Sequence, residues 1–148
     1  MTDLATIDIY LDAPHGDIAH GIEDFVQQSI VPLPIAESDE AARRQAREIL
    51  TLLGDSGWAR FSAPLDTVRG EALDLRACCL IREALAGTSS LADAVFAIQC
   101  LGAMPIALAG SDEQRQTWLA AVAAGRAMGA FVMTEPEAGS DVGNLSTT

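Results

Sequence analysis

At 148 residues the chain is long enough for one domain with a real core, and its 49% hydrophobic content excludes a disordered tail. The net charge is −12 and the pI lies near 4.3, with every one of the nine basic residues an Arg. Such a surface repels phosphate backbones, so no nucleic-acid partner is expected.

Aromatics are scarce, and Ala and Leu outnumber the β-branched residues, which favours helix over sheet. Cys78, Cys79 and Cys100 form neither a disulfide framework nor a metal-ligand spacing. They read as reduced thiols of a cytoplasmic protein, and no metal site is expected. Met-Thr-Asp at the start places an acid where a signal peptide carries basic residues, so no signal peptide is expected.

In chain order, residues 1–16 read as acidic and irregular, with Pro14 and Gly16 as breakers. A helix is predicted over 17–31, from Ile18, Ile22, Phe25, Val26 and Ile30 at helical spacing, stopped by Pro32 and Pro34. A second is predicted over 38–53, with acids in its first turn and Gly54 and Gly57 at its end. Trp58 and an extended Phe61-Ser-Ala-Pro64 follow.

A third helix covers 73–86, and Thr88-Ser-Ser90 offers the N-cap of a long apolar helix from Leu91, which Pro105 kinks or restarts. Between Ala94 and Ser111 the strongly polar residue is Gln99, a pattern that also suits a membrane span. Acids at both ends and the absence of a basic anchor favour a helix buried on all sides in a bundle, with no membrane. Ser111-Asp-Glu-Gln114 is a capping box opening a fifth helix to about Ala124. Ala130-Phe-Val-Met133 then reads as a short strand, followed by a polar loop.

In that loop Thr134, Ser140 and Asp141 supply short polar side chains, while Gly139 and Gly143 permit close backbone approach. Gly-Ser after a turn can present amides to an oxyanion, and an ordinary surface turn has the same composition. Glu135, Glu137 and Asp141 read as solvated acids rather than a tuned catalytic base. His15 and His20 read as surface residues, without support for Ser/His/Asp chemistry.

The wording of the loop adds more. Phe131-Val-Met-Thr-Glu-Pro-Glu-Ala-Gly-Ser-Asp141 resembles the flavin-binding signature of the acyl-CoA dehydrogenase family. Gly110-Ser-Asp-Glu-Gln-Arg115 with Trp118-Leu119 and Gly125 resembles the family's segment just upstream, and Leu53-Gly-Asp-Ser-Gly-Trp58 its Leu-Gly-x-x-Gly-Trp turn. The likeness covers about residues 17–148. It departs at residues 65–70, where the family carries a Gly-rich acidic turn, and at Ala120-Ala121, where a Pro is common.

The resemblance implies an all-α, up-and-down helical bundle over 1–127, with 128–148 as the start of a truncated middle β-domain. It implies an FAD flavoprotein of fatty-acid metabolism that oxidises acyl-CoA to 2,3-enoyl-CoA: a carboxylate takes the α-proton and hydride leaves to the flavin. By position, Phe131, Met133 and Thr134 would line the flavin, Gly139 and Ser140 would meet the pyrophosphate, and Ser140 would border the acyl-CoA channel. No residue of this chain is assigned the catalytic base, so the chain alone is expected to be inactive. Its implied partners are acyl-CoA and either the remainder of the dehydrogenase subunit or a homo-oligomer. The alternative is a non-catalytic helical association module derived from the same family.

Overall fold

The computed structural model describes residues 4–64 and 72–147; the departure noted at 65–70 lies outside the described residues. The described residues include six α-helices, the last five packed as a bundle, and the helical class expected from composition holds. The first sixteen residues are more ordered than their composition suggests. A short α1 (Leu4–Ile7) and a 3-10 turn at Asp8–Tyr10 come first, and α2 (Ala13–Phe25) already starts beside Pro14. Proline costs little there, because first-turn amides have no intrahelical acceptor. A wider π turn at Val26–Ile30 carries α2 onward and keeps Val26 and Ile30 buried.

Ser38 caps α3 (Asp39–Asp55), its hydroxyl accepting the Ala41 amide at 3.2 Å. Gly54 lies inside this helix rather than ending it, and Gly57, at φ 81°, turns the chain. Residues 58–62 form a 3-10 turn where an extended segment was expected. The turn packs Trp58 on Phe61 at 5.7 Å between ring centroids and against Phe25 at 6.4 Å. Helices α4 (Leu75–Ala86), α5 (Ser90–Ala109) and α6 (Asp112–Ala123) follow with very short links, the hallmark of antiparallel neighbours. The capping box of α6 is formed: Gln114 donates its amide to the Ser111 hydroxyl, and its side-chain oxygen accepts the Ser111 amide at 2.8 Å.

The main core draws Ile22 and Phe25 from α2, Leu53 from α3, Ile81 and Leu85 from α4 and Phe96 from α5. A smaller cluster joins Ala103 and Ala107 to Leu119 and Val122 of α6. Helix α5 packs on α3, α4 and α6, yet it is not buried all round. Its stripe of Val95, Phe96, Gln99, Ala103 and Ala107 faces inward, while Leu101 and Leu108 are 49% and 74% exposed. By length and composition alone this helix is apolar enough to cross a membrane. It runs through Pro105 unbroken. The carbonyl that loses its partner belongs to half-exposed Leu101.

His15 corrects the sequence reading: it is 2% exposed, not a surface residue. Its Nδ1 accepts the Asp12 amide at 2.9 Å, which puts the ring proton of a neutral imidazole on Nε2, 2.9 Å from Asp74 Oδ2. Asp74 also caps α4 through the Arg76 and Ala77 amides, and Arg76 reaches back to Asp12 at 2.7 Å. Burial pushes the Asp74 carboxyl up. The Ala77 amide, the His15 ring and the Arg76 amide outweigh it and hold the group below the usual carboxylate range.

Backbone meets backbone at two places. A Cβ on Gly54 would lie 2.4 Å from the Ala124 carbonyl oxygen, and one on Gly125, at φ 66°, would lie 2.6 Å from the Leu50 oxygen. A Cβ on Gly102 would come within 2.9 Å of the Gly129 Cα. Two expectations follow from these contacts and the capping carboxylate. Gly125→Ala should lower stability by about 2–4 kcal/mol in urea denaturation, from overpacking plus a left-handed backbone. Gly16→Ala, with open space around its Cβ, should be neutral or stabilising.

The second concerns pH. A lowered folded-state value means that Asp74 contributes stability fully above the unfolded carboxyl value of about 4, and that this is lost as pH falls through the folded value. Asp74→Ala should therefore cost about 0.5–2 kcal/mol at pH 7, the worth of an N-cap. Urea midpoints of the variant and the natural chain should converge below pH 4.

Candidate functional site: the loop after α6

The chain that leaves α6 is held by Gln99, the polar residue of the apolar α5 run, which is only 1% exposed. Its Nε2 donates to the Ala127 carbonyl at 2.8 Å and, more weakly, to that of Val122 at 3.5 Å. Its Oε1 accepts the Gly129 amide. A buried amide with every group satisfied makes a specific joint, because the unpaired alternative costs its full desolvation. The Gly102–Gly129 contact lets the segment approach α5 closely enough for these bonds.

Beyond this joint no paired strand forms at 130–133. The segment keeps the character of an extended chain laid on a surface: Phe131 and Met133 are 45% and 41% exposed, and Val132 between them 92%. An apolar run becomes a strand only with a neighbour to pair with, and none of the described residues supplies one. The loop proper opens with a tight turn, in which the Glu135 amide donates to the Ala138 carbonyl at 2.9 Å and the Ala138 amide returns the bond at 3.3 Å. Ala138, 2% exposed, anchors the turn.

The five residues singled out from the sequence thus lie on one exposed stretch. Among the described residues, the hydroxyls of Thr134 and Ser140 and the amides of Gly139 and Ser140 make no hydrogen bond to the protein. A Cβ on Gly139 would meet nothing within 4 Å. These are unengaged neutral donors in open space. They fit a ligand that accepts hydrogen bonds, as the pyrimidine edge and pyrophosphate of a flavin dinucleotide do.

Glu137 and Asp141 are exposed, as a solvated acid would be. Glu135 is not free. Its carboxylate accepts the Thr147 hydroxyl, the Ser146 and Thr147 amides at 2.9 Å each and the Ser146 hydroxyl at 2.8 Å, which together hold it down at about 2. A cleft of about 570 Å3 lies elsewhere, where Glu23, Asp24 and Glu83 line its wall. Three carboxylates make it a poor home for a pyrophosphate.

Sequence reasoning missed Gln99 and Glu135 as organisers of this region. The signal for Gln99 was present, since an amide alone in an apolar helix needs a partner. Nothing local announced that Glu135 would find its partners eleven and twelve residues on.

Comparison with known proteins bears on the same region. The family model described as "Acyl-CoA dehydrogenase, N-terminal domain" matches residues 13–126, from the start of α2 to just past α6. The chain belongs to the acyl-CoA dehydrogenase family. A probable acyl-CoA dehydrogenase of Mycobacterium tuberculosis is 33% identical over 137 residues, covering 93% of this chain and 34% of the relative. A probable acyl-CoA dehydrogenase of Bacillus subtilis is 30% identical over 137 residues, covering 90% of this chain and 22% of the relative. A 3-(aryl)acrylate reductase of Clostridium sporogenes is 32% identical over 126 residues, covering 84% and 33%. The chain therefore spans about a third or less of the length of these relatives.

Replacing Gln99 tests the joint. Gln99→Ala leaves the Ala127 carbonyl and Gly129 amide without their partner and should cost about 1–3 kcal/mol in urea denaturation. Amide exchange should accelerate at Gly129 before it does in α2–α4.

Proposed function

We propose that this chain is the N-terminal part of an FAD-dependent acyl-CoA dehydrogenase, an oxidoreductase converting acyl-CoA to 2,3-enoyl-CoA. The observation that carries the reading is the set of unengaged donors on Thr134, Gly139 and Ser140 in a family member. In this reading the Thr134 hydroxyl bonds the pyrimidine edge of the flavin. The Gly139 amide and Ser140 hold the pyrophosphate, and Ser140 also borders the acyl-CoA. Phe131 and Met133 lie along the ring. Bound FAD supplies the hydride-accepting chemistry. This chain's part is to orient the cofactor with neutral groups, which matters on a surface of net charge −12.

The division at residues 127/128 belongs to the same proposal. The family match ends at 126, and among the described residues after α6 only a short 3-10 turn at Val142–Asn144 is helical. In this reading the middle β-domain supplies the strand neighbours that the Phe131–Met133 run lacks. The dehydrogenase subunit's remainder, or a second copy, then covers exposed Val132, Leu108 and Trp118. A cytoplasmic setting accords with three cysteines that are all free thiols.

A second reading, a helical association module without flavin, is favoured by that same exposed apolar surface. FAD titration of the isolated polypeptide separates the two. The loop holds only part of the cofactor, and each absent hydrogen bond to a charged group typically costs about 1.5–3 kcal/mol. Calorimetry should therefore show binding no tighter than about the high-micromolar range. Thr134→Val with Ser140→Ala should abolish it, and a dye-linked assay should show no turnover. No detectable binding would leave the association reading standing.

A further inference from the structure

Glu135 directly follows Thr134, and it organises the loop twice over. Its backbone makes both bonds of the turn with Ala138. Its carboxylate takes four hydrogen bonds from the amides and hydroxyls of Ser146 and Thr147. Four donors match the lone-pair capacity of an ionised carboxylate, which is about four. No Lys or Arg contributes among the described residues, so the charge is met by dipoles alone.

The bonds span eleven and twelve residues, so they close residues 135–147 into a ring instead of stabilising a local turn. Gly139 and Ser140 lie inside the ring and Thr134 stands at its gate. Their own polar groups hold them to nothing. Among the described residues the ring's hydrogen bonds are the Glu135–Ala138 turn, the Asn144 amide on the Asp141 carbonyl at 3.2 Å and the carboxylate clasp, with buried Ala138 and half-buried Leu145 as its apolar contacts. Of these, the clasp alone joins the two ends.

We propose that Glu135 is the positioning residue of this loop: by binding Ser146 and Thr147 it closes the ring and sets where the Thr134 hydroxyl and the Gly139 and Ser140 amides point. The clasp stands on its own geometry, and its bearing on a cofactor rests on the flavin reading above. A glutamine in its place keeps the size but turns an NH2 group toward N–H and O–H donors. It therefore loses about half of the bonds.

The test is backbone-resolved NMR of the full chain and of Glu135→Gln, with circular dichroism and melting as controls. In the natural chain the Ser146 and Thr147 amides should exchange about tenfold or more slowly than unstructured amides, the effect of one hydrogen bond of ordinary net worth. Glu135→Gln should bring at least one of the two close to unstructured rates and shift the Thr134, Gly139 and Ser140 amide resonances. Helices α2–α6 and the melting temperature should stay unchanged. Unstructured exchange at Ser146 and Thr147 in the natural chain would overturn the clasp. Loss of their protection without movement at Thr134, Gly139 and Ser140 would overturn the positioning role.

Adding FAD separates this proposal from the flavin reading. If FAD moves the three resonances in the natural chain but not in Glu135→Gln, both stand. If it moves them equally in the two, the positioning role fails. If the clasp signature is intact and FAD moves nothing, the flavin reading fails and the clasp stands.

Discussion

Between α5 and the chain leaving α6 lies one buried polar side chain, the amide of Gln99, and the placement of the loop depends on it. Helix interiors satisfy their own backbone groups, so a core amide finds free partners in irregular chain and at helix ends. Here those partners are Ala127 and Gly129, and the direction in which residues 130–147 set out is decided by α5 rather than by the loop. The bundle's part in any cofactor chemistry is therefore indirect but definite. It is a platform that fixes where an otherwise weakly held loop begins.

The loop repeats the same physics in smaller form. A carboxylate on an acidic protein would be expected to point into water, and Glu137 and Asp141 sit exposed. Glu135 instead gathers neutral donors and remains ionised among them. Both organisers are polar groups that bind backbone amides, one in the core and one at the surface. Such joints constrain direction as well as distance, and a cofactor cradle needs both.

Much of the fold was legible because its determinants are local. The Ser89 and Ser111 caps, the spacing of Ile22, Phe25, Val26 and Ile30, and Gly57 each act within a turn of the residues they organise. The readings that failed depended on distant partners. His15 is buried where Asp74, fifty-nine residues away, accepts its hydrogen bond, and no pattern around His15 contains that fact. The 130–133 run has strand composition but no neighbour here to make it a strand. Helix α5 was expected to be buried on all sides, and its open side at Leu101 and Leu108 was not foreseen, since alanine-rich hydrophobicity looks alike on every face. Of the candidate site, the motif located the residues in the chain. The donors' freedom and the ring that holds them emerged only in three dimensions.

The glycine contact between α3 and the end of α6 has a consequence for how this sequence can change. Where two bulky side chains touch, enlarging one can be offset by trimming the other, and cores drift through such paired exchanges. At Gly54 and Gly125 both partners are already at the minimum, and the atoms they approach are backbone. No second substitution can restore the room that a first one takes. Variation there has nowhere to go in a single chain, short of moving a helix.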